Sequence, residues 1–198
     1  EDYRKFWANY GSILKEGLHY ASEHRDRLAK LVRYASTADE FTSLAEYVAR
    51  MPEDQEAIYY VTGMNRQSVQ GSPHIEALRS RGFEVLYMTD PVDEWAVEGL
   101  GDFEGRKVVS AMKADLALDA PATDEEKEKR EEQSERLGDL RERIQEVLGD
   151  QVSEVRLSRR LTDSPCCLVV PEGGVHAHIE RMLRARNKDM PVTKRILE

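Results

Sequence analysis

The residues best suited to chemistry lie in the stretch "LYMTDPVDEW", residues 86–95. A short apolar run ends in three carboxylates, Asp90, Asp93 and Glu94, and Trp95 follows at once. Ligands collect at the carboxyl ends of strands in open parallel sheets, and paired carboxylates there act as acid and base or hold a metal ion. One hypothesis is therefore an enzyme that uses these three acids.

A structural role explains the same acids. Asp90 is suited to cap a helix with Pro91 at its first position, and Asp93 and Glu94 suit the positive N-terminal end of that helix. No His, Lys or Cys pattern accompanies the acids, which favours the structural role. Trp95 is then the unexplained residue: it packs in the core, or it is displayed to contact a partner.

A second segment raises the same question. Residues 175–185 follow a Gly-Gly pair, and arginines flank the segment. Its apolar side either packs in a core or forms an exposed surface for a partner. Methionine suits such a surface, because its flexible side chain adapts to varied partners. That side carries Val175, Ile179, Met182 and Leu183.

Neither a cofactor nor a metal site is predicted within this chain. The loop "GMNRQSVQG" (63–71) lacks both phosphate-binding glycine patterns. His176 and His178 are two residues apart, so on a helix they point to different sides. Cys166 and Cys167 are adjacent and cannot easily bind one metal ion together.

The composition restricts the classes of partner. Of 198 residues, 40% are hydrophobic and 34% are charged, and the net charge is −9. That charge disfavours binding to nucleic acid or to an acidic membrane. Two adjacent cysteines indicate a reducing compartment, so we expect a cytoplasmic protein. No apolar run approaches the roughly 20 residues that span a bilayer.

Hydrophobic spacing predicts the elements that must hold these residues. A helical region covers 2–35, broken near Gly17, and Ser43 with Glu46 forms a capping box for the next helix. The first helix should bury one stripe, formed by Phe6, Tyr10, Ile13, Leu14 and Leu18.

Strands and helices then alternate. Strands are predicted at 57–63, 83–89 and 106–112, with a helix at 72–82 between the first two. This βαβ unit requires parallel strands. A helix beginning at Leu137 and strands in "GDQVSEVRLS" and "SPCCLVV" follow a charged stretch.

The fold class is therefore α/β, with α+β character. We predict a helical connector at 1–52, a small three-layer α/β subdomain at 53–112, a linker at 113–123 and a second α/β domain at 124–198. Both ends look cut, so we expect a piece of a longer protein.

Seven blocks of sequence, in order and spacing, resemble the heat-shock protein 90 chaperones, most of all their bacterial branch. The resemblance runs from residue 2 to 198 and is interrupted only at 113–136. The blocks are "FWANYGSILKEGL", "LAKLVRYAS", "TSLAEYVARM", "IYYVTG", "SPHIEALRSRGFEVLYMTDPVDEW", "LGDQVSEVRLSRRLTDSP" and the terminal "ILE".

The resemblance implies an ATP-dependent, homodimeric chaperone that acts in protein folding and the stress response. This chain would cover the late middle domain and the truncated start of the C-terminal dimerisation domain. ATP and Mg would bind upstream, so the piece itself would not be an enzyme, and its own dimerisation would be weak or absent. Partners would be unfolded or partly folded clients and co-chaperones.

The resemblance also implies two client-contacting regions. The first is the Asp-Glu-Trp helix with Glu94, Trp95 and Glu98; the second is the apolar side of 175–183. Glu98 replaces a neutral polar residue of relatives, and Val175 replaces a longer apolar one, so both are expected to retune client contact. A purely structural connector that passes ATPase-driven motion to the dimer interface stays open as the alternative.

Overall fold

We analysed a computed structural model of the chain. The structure describes residues 2–113, 132, 135–174, 180 and 193–198. It divides into two compact units, Glu1–Ala111 and Met112–Glu198.

The first unit alternates helices and strands after an opening pair of helices. Short 3₁₀ turns at Ser22–His24 and Pro73–Ile75 precede α2 and α5. Its helices are α1 (Asp2–Tyr20), α2 (Arg25–Leu31), α3 (Leu44–Arg50), α4 (Arg66–Gln70), α5 (Glu76–Ser80) and α6 (Asp93–Leu100). Its strands are β1 (Ala35–Ser36), β2 (Ile58–Thr62), β3 (Val85–Met88), β4 (Asp102–Phe103) and β5 (Arg106–Ser110).

The strands of the first unit form one sheet in the order β1-β3-β2-β5-β4. β2 lies parallel to both β3 and β5, in a register that pairs Tyr60 with Leu86. The predicted βαβ unit and its three main strands are therefore confirmed. The short outer strands β1 and β4 run antiparallel to their neighbours.

Both faces of this sheet are buried. Ile58 and Tyr60 of β2 belong to a core shared with α1, α3 and α6. The alternate residues Tyr59 and Val61 are buried as well, and successive strand side chains point to opposite faces. A layered α/β arrangement follows, with one core that draws on residues before and after position 52.

The buried face of α1 differs from the predicted stripe. Leu18 is 1% exposed, but Phe6, Tyr10 and Ile13 are 42%, 52% and 59% exposed. The buried face instead carries Gly11, Lys15 and Leu18. Apolar spacing could not reveal it, because this face includes a lysine whose charge is neutralised in the interior.

Local sequence patterns predicted helix capping correctly where a side chain forms hydrogen bonds with the main chain. Ser43 and Glu46 form the predicted capping box of α3. The helical region predicted over 2–35 is wrong in two places. Its break lies after Tyr20 and not near Gly17, and its last helix stops at Leu31, after which Tyr34 pairs with Thr42. The helix α4, which lies in the 63–71 loop, was not predicted. It begins with a capping box in which Asn65 is the N-cap residue.

The second unit contains α7 (Gly138–Leu148), a 3₁₀ turn, and strands β6 (Val152–Val155), β7 (Leu168–Val169) and β8 (Arg195–Leu197). β8 lies in the middle, parallel to β6 and antiparallel to β7. β6 and β7 confirm the predicted strands, but β8, which contains Ile196 and Leu197 of the terminal "ILE", was not predicted.

Buried charges hold β8 in place. The carboxylate of Glu198 accepts hydrogen bonds from Arg160 Nε at 2.6 Å and from Arg156 Nε at 2.9 Å. Burial acts to raise the pKa of Glu198, but the two arginines outweigh it and the pKa lies below its ordinary value. The carboxylate therefore stays charged inside the unit.

Candidate functional site

The turn that leads into α6 is closed by Asp93 rather than by Asp90. The N–H of Asp90 donates to Asp93 Oδ2 at 2.9 Å. The residue before the helix, Val92, makes no side-chain cap. The predicted capping role of Asp90 is therefore wrong, because its own carboxylate is paired elsewhere.

That pairing forms a partly buried ionic cluster between α1 and the start of α6, in which Lys15 and Asp93 are buried and Asp90 is exposed. Lys15 Nζ lies 2.6 Å from Asp90 Oδ2 and 2.7 Å from Asp93 Oδ1. Lys15 is 4% exposed and Asp93 is 1% exposed. The ammonium group also lies 4.7 Å from the ring centre of Tyr34. Charges this deep are tolerated only when paired, so the cluster, which we call the Lys15 clamp, fixes α6 against α1.

The clamp leaves the acids poorly suited to catalysis. Burial raises the pKa of Asp93, while Lys15 and the N–H of Asp90 act to lower it. Glu94 is only 7% exposed. Burial raises the pKa of the neighbouring Tyr60 to about 12, against the lowering effect of its hydrogen bond with Ser110, and the charges of Glu94 and Glu98 add to the increase. The geometry thus offers no accessible carboxylate pair here.

Across residues 2–113, 135–174 and the short described pieces, no group of three potential metal ligands occurs. In the same ranges, no helix is both long and apolar enough to cross a membrane.

Trp95 is half-buried on the outer side of α6. Its ring meets the ring of His19 at 5.9 Å in an edge-to-face arrangement. Gly99, one turn further along α6, brings the two helices together: a Cβ there would lie 2.2 Å from the carbonyl oxygen of Leu18. The indole is therefore neither a core residue nor fully displayed.

A third ring extends this surface. His19 contacts Tyr20 edge-to-face at 4.9 Å, and Tyr20 is 81% exposed. We call Trp95, His19 and Tyr20 the aromatic row. Sequence reasoning missed His19 and Tyr20, because nothing in their spacing shows that the end of α1 lies beside α6.

Acidic side chains border the aromatic row. Glu98 is exposed and lies three residues after Trp95 on α6. Glu16 is exposed and precedes His19 and Tyr20 by three and four residues on α1. Residues at these spacings are neighbours on a helix surface, so each acid lies beside a ring.

The second predicted client-contacting region lies outside the described residues. Val175, Ile179, Met182 and Leu183 all fall there, so their role stays a prediction. Glu180, within the same segment, is buried and accepts a hydrogen bond from Arg195 at 2.7 Å.

Comparison with known proteins shows the family to which the chain belongs. The family model described as "Hsp90 protein" matches residues 1–198. The chain is 56% identical over 201 residues to the chaperone protein HtpG of Myxococcus xanthus, covering all of this chain and 30% of that protein. It is 48% identical over 205 residues to HtpG of Geobacter sulfurreducens and 46% identical over 201 residues to HtpG of Mycolicibacterium gilvum, again over all of this chain and 31% of each relative. The chain thus spans about a third of the length of these relatives. It belongs to the Hsp90 family and is similar to bacterial HtpG.

Proposed function

We propose that this chain is a client-binding part of a molecular chaperone, and that Trp95 is its central contact in the first unit. The observation that carries the proposal is a half-buried indole on a helix that an ionic cluster fixes in place. The relatives named chaperone protein HtpG support it.

The fixed position of Trp95 on α6 suits the binding of a partner. The Lys15 clamp and the close approach at Gly99 hold the indole in position before any partner arrives. Pre-organisation lowers the entropic cost of association, and tryptophan is among the residues that contribute most to interfaces. Trp95 therefore has both the residue type and the rigidity of a contact hot spot.

The acidic border selects among clients. Glu98 is exposed beside the indole, and the chain carries a net charge of −9. This field attracts basic, partly unfolded chains and repels acidic ones. Glu94 faces the interior, so we do not include it in the contact surface.

The rest of the assignment rests on the family. We propose that Val175, Ile179, Met182 and Leu183 form a second client contact. In the longer cytoplasmic protein, ATP and Mg would bind at sites outside this chain, a homodimer would form, and co-chaperones would act on it.

A structural connector is the second candidate. The Lys15 clamp joins two helices through buried charges, and such a rigid joint would transmit motion through the first unit. Under this alternative, Trp95 contributes to packing and not to client affinity.

Binding of an unfolded protein distinguishes the two. The probe is labelled egg-white lysozyme, reduced and carbamidomethylated so that it is unfolded and basic. Truncation of Trp95→Ala should lose about 1–2 kcal/mol of affinity, or about five- to thirtyfold in Kd. Val147→Ala, which truncates an exposed residue in the second unit, is the control. An unchanged Kd for a folded Trp95→Ala variant would favour the connector.

A further inference from the structure

The aromatic row is a continuous surface rather than a single exposed ring. The ring centres are 5.9 Å apart from Trp95 to His19 and 4.9 Å apart from His19 to Tyr20. Both contacts are edge-to-face, the arrangement that aromatic pairs favour. A peptide that contacts Trp95 can therefore also contact two further rings, which belong to consecutive residues of the neighbouring helix.

The two rings on α1 are more exposed than Trp95. Trp95 is half-buried, His19 is exposed, and Tyr20 is 81% exposed. A tyrosine this exposed makes little contribution to the core of the unit. Its aromatic face remains available to a partner, with only two side-chain torsions to immobilise on binding.

The helices hold the rings in register. The backbone of α6 at Gly99 lies against Leu18, the residue immediately before His19. The Lys15 clamp fixes the same pair of helices one turn earlier on α1. The distance from Trp95 to His19 is thus set by main-chain packing and buried charge.

The charge beside the rings specifies the partner. Glu16 and Glu98 are exposed at the two ends of the row. Aromatic faces attract guanidinium and ammonium groups, and the carboxylates add to that attraction. The same chain already uses this geometry internally, since Arg4 lies 4.4 Å above the ring of Phe41.

We propose that the aromatic row, bordered by Glu16 and Glu98, binds arginine- or lysine-containing apolar segments of unfolded clients. The inference rests on the proposed client-binding function and extends it: Tyr20 and His19 are binding residues, and a basic extended segment is the ligand class. The basic side chain lies over Tyr20 while the apolar part of the segment contacts Trp95.

Two labelled peptides of equal length test the assignment by fluorescence anisotropy with the whole chain. One combines leucine and arginine, and the other combines leucine and glutamate. Tyr20→Ala should weaken binding of the arginine peptide about three- to tenfold, while Tyr20→Phe retains it. Glu16→Gln with Glu98→Gln should weaken the arginine peptide and strengthen the glutamate peptide.

Tyr10→Ala is the matched control. Tyr10 is also an exposed tyrosine of α1, and its ten-residue separation places it about 15 Å from Tyr20 along the helix. The arginine peptide should bind this variant with unchanged affinity. An equal loss in Tyr10→Ala and Tyr20→Ala would overturn the inference, because the helix surface would then bind without a defined site.

The outcomes also separate this inference from the proposed function. Trp95→Ala could weaken the binding of both lysozyme and the arginine peptide while Tyr20→Ala and His19→Ala do not. In that case the inference about the aromatic row is wrong, and the proposal of client binding at Trp95 stands. If none of the three variants changes either affinity, both proposals fail.

Discussion

At the scale of single residues, Lys15 is the group on which the site depends most. It brings a positive charge into the interior, where two carboxylates lie within 2.7 Å of its Nζ atom. The stripe predicted for α1 did not include Lys15, yet the structure places it inside. A buried ion pair cannot be recognised from one helix, because the partners are 75 and 78 positions away in the sequence.

Replacing Lys15 tests the clamp. Lys15→Met leaves Asp93 buried without its counter-ion, which should lower the free energy of unfolding by about 3–5 kcal/mol. Chemical denaturation of the first unit, followed by tryptophan fluorescence, measures the loss. Lys30→Met, at an exposed lysine of α2, should change it by less than about 0.5 kcal/mol; equal effects of the two variants would contradict the clamp.

The proposed binding residues were only partly predictable from the sequence. Trp95 stood out because a large aromatic residue follows three acids in a short helix. Glu94, adjacent to it, gave no sign in the sequence that its side chain is buried. His19 and Tyr20 belong to the site only because α1 crosses α6, which no local pattern reports.

At the scale of elements, the sheet was predictable and the helix contacts were not. The β2–β3–β5 arrangement followed from apolar runs separated by a helix, since this order requires parallel strands. The short strands β4 and β8 carry too few residues for a period to be recognised. The face that α1 buries is determined by α6, which lies more than 70 residues further along the chain.

Gly99 is the position where the helix crossing can be tested. A Cβ at this residue would lie 2.2 Å from the carbonyl oxygen of Leu18. Gly99→Ala should therefore destabilise the first unit by about 1–3 kcal/mol, a cost typical of overpacking, despite the better helix propensity of alanine.

Thermal unfolding of the variant measures this cost. The control is Gly71→Ala, where the nearest atom to a new Cβ is 3.8 Å away and the backbone is not left-handed. A Gly99→Ala variant as stable as the parent chain would show that the helices do not approach so closely.

Glu198 gives the second unit a defined pH dependence. Its pKa is lowered in the folded state, so its stabilising effect is present above the unfolded value of about 4.3 and is lost as pH falls through the lower folded value. Glu198→Gln should therefore destabilise β8 at neutral pH and have little effect in acid.

Hydrogen exchange of the β6 and β8 amides measures this difference. The matched control is Glu154→Gln, at an exposed carboxylate in β6. A loss of amide protection that is equal in both variants, or that is the same at every pH, would contradict a stabilising charge at Glu198.

At the scale of the whole molecule, we propose that the acidic balance favours basic clients. The net charge of −9 acts together with the carboxylates beside the aromatic row. The net charge follows from the sequence alone, because it needs no knowledge of the fold. The sequence did not predict where on the surface the acids would meet aromatic rings.

Salt should weaken the interaction selectively. Raising ionic strength from about 0.01 M to about 0.15 M shortens the Debye length from about 30 Å to about 8 Å. The Kd of the leucine–arginine peptide should rise severalfold, while an uncharged leucine–glutamine peptide should bind equally at both salt concentrations. Titrations by anisotropy measure both constants, and equal salt responses would remove the electrostatic part of the account.

The central claim is that Trp95 binds clients rather than only packing against His19. The most direct measurement compares the parent chain with Trp95→Phe and Trp95→Ala, recording both the Kd for unfolded lysozyme and the free energy of unfolding. The account predicts an about five- to thirtyfold loss of affinity in Trp95→Ala, a smaller loss in Trp95→Phe, and a fold that stays intact in both. Unchanged affinity in a folded Trp95→Ala variant would contradict it.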